Sequence, residues 1–201
     1  VITVPNALPQ NFVNRLTPNF QAAFKRKHIL MLGSLKLYKS PLEFIELTKR
    51  LPQFIFVLVI NDTKENINIF IKEYKINISK NLTIYPQQND VVPFYNQTSL
   101  VLNLSNKKQF VETFGLTALE AMSAGLPVIV PTEGGIAEMV VDGENGYKID
   151  VQNLNQIAEC IKTILSDETL YMELAQNALA YSKRFSEAKM VNSIEMILNR
   201  K

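Results

Sequence analysis

Residues 115–130, GLTALEAMSAGLPVIV, decide how the chain is read. Gly115 opens a helical pattern over Leu116–Ala124, Gly125 stops it, and two residues later an apolar run predicts a strand over Pro127–Thr132. A helix returning so directly into a continuous apolar strand is a step of an α/β sheet covered on both faces. One residue does not belong to a core: Glu120, in the middle of the helix. Eight positions before it, just ahead of the glycine, stands a second carboxylate, Glu112.

Working outward, the same alternation recurs. HILMLGS (His28–Ser34) predicts a strand ending in glycine, followed by a helix from Ser40 or Pro41 through Arg50. FIFVLVI (Phe54–Ile60) is a second strand, with a helix around Thr63–Tyr74. LTIYP (Leu82–Pro86), a short helix near Asp90–Gln97, and SLVLNLS (Ser99–Ser105) lead into the opening stretch. GYKID (Gly146–Asp150) is the last strand, and helices over Leu154–Leu165, Glu168–Ser182 and Ser186–Asn199 finish the chain. Strands alternating with helices predict an α/β, Rossmann-like three-layer domain with a parallel sheet. Residues 28–201 form that domain, and the turn-rich residues 1–27, with a basic cluster at Lys25–Lys27, read as a solvated lead-in from a larger protein.

Composition bounds the function. The 201 residues are 47% hydrophobic and 20% charged, with a formal charge of +2, which gives no reason to expect nucleic acid as a partner. One cysteine and one histidine offer neither a disulfide framework nor a zinc site. Cys160 sits at helical spacing in an apolar pattern and His28 at the start of a strand, so both read as structural. Glu133, Glu138 and Asp142 fit loop, helix-face and turn positions better than a metal site, and none is expected.

Parallel sheets bind ligands outside the carboxyl ends of their strands. Gly33 and Ser34, Ser105–Glu112, and Thr132–Gly135 all fall at such ends, with Lys36 and Lys39 in the first connection. Backbone N–H groups at Gly115, Leu116 and Thr117 would form an anion site at the helix start. The flanking carboxylates Glu112 and Glu120 would accept hydrogen bonds from ligand hydroxyls.

The segment FVETFGLTALEAMSAGLPVIVPTEGGIAEMVVDGENG (Phe110–Gly146), with its E-x7-E spacing and Gly-Gly loop, resembles the signature of the retaining GT-B fold glycosyltransferases of family 4, group 1. MLGSLKLYKSPLEFIELTKRLP and VPNALPQNF resemble the first strand, helix and entry segment of that family's C-terminal donor domain. The resemblance covers nearly the whole chain but only one half of a GT-B fold, and implies an acceptor-binding N-terminal domain that is expected to be absent from this chain.

It implies a hexosyltransferase-type activity, inactive in this half alone, moving a sugar from a nucleoside diphosphate sugar, UDP-sugar favoured, to a saccharide or lipid acceptor in polysaccharide biosynthesis. Glu120 would bind ribose hydroxyls and Glu112 the transferred sugar. Lys39 would bind the diphosphate, while Phe114, Gly115, Leu116 and Thr117 meet diphosphate or sugar, and Gly134 and Gly135 lie near the nucleotide. Glu112 and Lys39 are thus the catalytic candidates. Gly33 and Ser34 belong to the donor site, Ser34 standing where the family commonly has arginine, with Lys36 as a substitute charge; Ser40 follows Lys39 where the family usually has glycine. No cofactor is implied. A cytoplasmic location follows, with peripheral association of the full-length enzyme at the inner membrane face. The readings weighed against this are a nucleotide-binding module without transferase activity and a GT-B fold sugar-nucleotide epimerase.

Overall fold

The computed structural model describes residues 4–199; the ends of the expected segments, residues 1–3 and 200–201, lie outside it. Six strands, β1 (His28–Gly33), β2 (Ile55–Ile60), β3 (Leu82–Tyr85), β4 (Leu100–Leu102), β5 (Val128–Val130) and β6 (Gly146–Lys148), form one sheet in the order β3-β2-β1-β4-β5-β6. Every pairing is parallel, with Gly33 opposite Ile60 and Val130 opposite Lys148. All carboxyl ends therefore share one edge. The strand order reverses between β1 and β4, and such a reversal opens a crevice at that edge.

Ten helices surround the sheet among the described residues: α1 (Gln10–Val13), α2 (Phe20–Arg26), α3 (Pro41–Arg50), α4 (Lys64–Glu73), α5 (Val92–Asn96), α6 (Leu116–Ser123), α7 (Gly135–Glu138), α8 (Leu154–Ser166), α9 (Glu168–Ser182) and α10 (Glu187–Leu198). The α/β, Rossmann-like expectation is met. Side chains of β4 and β5 are buried on both faces, which is why those strands read as unbroken apolar runs. Helix α9 packs on α2, α6 and α8, and α8 packs on α3. Five of the described helices begin with a side-chain cap where the sequence supplies one: Asn19, Thr63, Asn153, Asp167 and Ser186 each accept from a backbone N–H of the first turn.

The solvated lead-in is corrected. Phe20, Ala23 and Phe24 recur at helical spacing behind an Asn19 cap, and α2 buries Ala23 and Phe24 against the core shared with Leu8 and Leu16. The Ser99 hydroxyl ties α2 to the sheet, donating to the Ala23 carbonyl at 2.6 Å and accepting from the His28 N–H at 3.0 Å. Lys27 is half-buried over the Phe24 ring and donates to the Leu165 carbonyl; burial pulls its pKa below the usual lysine range, against the opposing pull of Glu168.

Candidate active site

A cleft of about 460 Å³ opens at the β1/β4 reversal. Its floor is Met31–Ser34 from β1 and Asn103–Ser105 beyond β4, and its wall is Glu112–Thr117, the loop and first turn of α6. Gly33, Ser34, Lys39, Glu112, Phe114, Gly115, Leu116 and Thr117 all line it. Lys36, Glu120, Gly134 and Gly135 do not.

Lys39 reaches the cleft from a 3-10 turn, Leu37–Lys39, that follows β1. Its ammonium is ion-paired with the Glu112 carboxylate, and Ser105 sits between them: Lys39 Nζ is 3.4 Å from Ser105 Oγ, which donates to Glu112 Oε2 at 3.2 Å. The Phe110 ring, stacked on Tyr38 at 4.8 Å, covers the ammonium at 4.5 Å from its centroid. Both charged groups are mostly shielded from solvent, at 23% and 15% side-chain exposure, so their attraction is poorly screened. A ligand that takes Lys39 must supply an anion in place of Glu112, and it then frees that carboxylate for hydroxyl donors.

Gly115 is the N-cap of α6 at φ +77°, and no backbone acceptor among the described residues takes the N–H groups of Gly115, Leu116 or Thr117. Those donors, at the positive end of a helix, complement a phosphate. Ser34, at the expected arginine position, brings a hydroxyl to the floor and no charge. Lys36 is exposed outside the lining, close enough to Asp62 to help lower that carboxyl's pKa, after the Asn66 and Thr63 hydrogen bonds.

Gly134 and Gly135, expected near the nucleotide, make a close approach to neighbouring backbone. A Cβ at Gly134 would overlap the Glu112 carbonyl, and one at Gly135 the Thr113 carbonyl. The pair lets α7 press against the loop carrying Glu112. Ile136 then fills the space beside Gly115, where a Cβ would collide with it.

Glu120 lies one turn beyond Thr117, facing α5. The Tyr95 hydroxyl donates to Glu120 Oε2. Burial pushes the Glu120 pKa up and the Tyr95 bond pulls it partly back; Tyr95, fully buried beside that charge, is itself pushed well above the usual tyrosine range. Tyr95, Asn61, Asn103 and Asn6 are contributors that the sequence did not mark, and Ser105 is one it placed at the edge without a role. Asn61 and Asn103 follow β2 and β4, so the strand-end rule that selected Gly33 could have found them. Asn103 donates to the Thr117 hydroxyl at 3.3 Å and accepts from the Ser105 N–H at 3.1 Å, bracing floor against wall.

Fold and cleft together define a Rossmann-like domain of the type that makes up half of a GT-B glycosyltransferase. Residues 15–181 match the family model described as glycosyl transferases group 1, and the chain belongs to that family. Over 142 residues it is 30% identical to the N-acetyl-alpha-D-glucosaminyl L-malate synthase of Bacillus anthracis, covering 70% of this chain and 36% of that one. A similar stretch is 27% identical to the poly(glycerol-phosphate) alpha-glucosyltransferase of Bacillus subtilis, covering 70% and 18%. The chain thus spans little more than a third of these relatives at most. Among solved structures, Anabaena HepE in complex with UDP and glucose superposes with a TM-score of 0.77 at 22% identity, over 96% of this chain and 53% of that one. The C-terminal domain of the group 1 protein LpcC from Francisella tularensis gives 0.67 at 25% identity, over 86% and 96%.

Proposed function

We propose that this domain binds the donor of a retaining glycosyltransferase, a nucleoside diphosphate sugar with UDP-sugar favoured. The observation that carries the reading is Lys39, paired with Glu112 in a cleft whose wall is the open N-terminus of α6. The diphosphate takes Lys39 and the α6 N–H groups, Glu112 is released to the hydroxyls of the transferred hexose, and Glu120 accepts from the ribose. As the anomeric C–O bond breaks, negative charge grows on the departing diphosphate, where the ammonium and the helix start stabilise it. The preference for uridine is supported by the UDP complexes of the HepE neighbour.

On this reading the cleft holds the donor alone, so the 201-residue chain is expected to bind donor without turnover. Calorimetric titration with UDP, GDP and ADP, and then with the matching nucleotide sugars, tests this. Saturable binding of one diphosphate supports the reading. Absence of saturation with all of them, or multiple-turnover transfer by this chain alone, contradicts it.

A further inference from the structure

We propose that Tyr95 is a positioning residue for the nucleotide: its phenol holds one oxygen of Glu120 and leaves the other turned to the ligand. The proposal rests on the reading of Glu120 as the ribose acceptor. Tyr95 is 1% exposed in α5, and its ring meets Phe12 edge-on at 6.2 Å. The hydroxyl has one proton to give. The Thr117 carbonyl at 3.5 Å is at the limit of a hydrogen bond, whereas Glu120 Oε2 is in close contact, so the proton goes to the carboxylate. No described residue donates to Glu120 Oε1.

The frame behind Tyr95 comes from the N-terminal segment. Asp90 accepts from the Val92 N–H at 3.2 Å and pairs with Arg15, while Asn96 donates to the Arg15 carbonyl at 3.1 Å and accepts from the Thr17 N–H at 2.9 Å. Both ends of α5 are thereby fastened. A two-torsion aromatic side chain packed on Phe12 has little freedom left, and the carboxylate it holds inherits that rigidity. A second consequence is chemical: the only ionisable neighbour acting on Glu120 among the described residues is Tyr95, and its hydrogen bond opposes the burial that favours the protonated acid. The phenol keeps Glu120 an acceptor.

The test is UDP affinity between pH 5.5 and 8 for wild type, Tyr95→Phe, Glu120→Gln and the double variant, each checked for folding by circular dichroism. Tyr95→Phe removes one hydrogen bond to a charged group and is expected to weaken UDP by about three- to tenfold near neutrality. The loss should widen as pH falls, because Glu120 protonates at higher pH without its donor; the titration of UDP itself is common to both proteins and cancels. Glu120→Gln should weaken UDP with or without Tyr95. If Glu120→Gln binds like wild type, the ribose reading fails and the proposal with it. If Glu120→Gln weakens binding but Tyr95→Phe matches wild type at every pH, or loses the same factor at every pH, the positioning role alone is overturned. Should Tyr95→Phe not fold, the double variant, which also removes the buried charge, is compared with Glu120→Gln: equal affinities support the proposal and a further loss overturns it.

Discussion

Glu112 and Glu120 stand eight residues apart in sequence, and the fold treats them in opposite ways. Glu112 is on a loop, hydrogen-bonded by Ser105 and neutralised by a lysine that the Phe110 ring covers. Glu120 is on a helix among apolar neighbours, and its partner is a neutral phenol. The first is an ion pair already satisfied without ligand, so on the proposed reading binding there would be an exchange of partners. The second keeps an uncompensated charge in a poorly solvated place, which costs stability and is retained where a ligand completes it. On the proposed reading, one end of the site would switch partners on binding while the other would be held ready.

The largest effect that could break this contrast is at Lys39. Lys39→Ala removes the only cation lining the cleft among the described residues and leaves Glu112 facing the incoming diphosphate, so UDP affinity should fall by roughly a hundredfold or more, from a lost charge-assisted bond of about 1.5–3 kcal/mol plus repulsion. Calorimetry reads the loss, and a change under threefold would contradict the exchange.

Glu120→Gln comes next, with UDP weakened on the order of tenfold because two charge-assisted bonds become neutral ones. The same change should stabilise the ligand-free domain at pH 7. Burial raises the Glu120 pKa in the folded state, so the stability linked to its protonated form is complete below the unfolded carboxyl range and lost as pH rises through the raised value. Glutamine has no such loss. Thermal unfolding without ligand should show the variant ahead at pH 7, with the gap closing under acid.

Glu112→Gln should be smaller and of another kind. Free UDP should bind as well as in wild type or slightly better, Lys39 having lost its competitor, while UDP-sugar should bind a few-fold more weakly. Glu138→Gln, on an exposed face, is the control and should alter neither.

The smallest effect is at Ser40, which sits at φ +58° and ψ +46° with a fully buried hydroxyl lacking a partner among the described residues. Ser40→Gly removes a left-handed strain of about 1–2 kcal/mol against a glycine cost of about 0.5–1 kcal/mol, for a net gain near 1 kcal/mol in unfolding free energy. Chemical denaturation measures it.

How far the sequence disclosed this molecule depends on the range of the signal. β1, β2 and helices α3, α4, α8, α9 and α10 follow from periodicity and caps, and the shared edge follows from their alternation. Helix α2 was missed although Phe20, Ala23 and Phe24 carry a helical pattern, because Pro18, Asn19 and the basic run around it read as loop. Tyr95 could not be found that way: a tyrosine in a short apolar segment looks like core, and only the crossing from β3 to β4 brings it against α6. For Gly134 and Gly135 the resemblance implied a place near the nucleotide, but the backbone they approach was not readable, because only the fold brings the Glu112 loop against α7.

The central claim, that a nucleoside diphosphate enters at the β1/β4 reversal, is tested most directly by titrating UDP into 15N-labelled protein and following backbone amides. Gly33, Ser34, Ser105 and the α6 start at Gly115–Thr117 should shift saturably together, while Gln97 and Thr98, in the groove beside His28, stay in place. Shifts confined to that groove, or no saturable shift at the α6 start, would contradict the account.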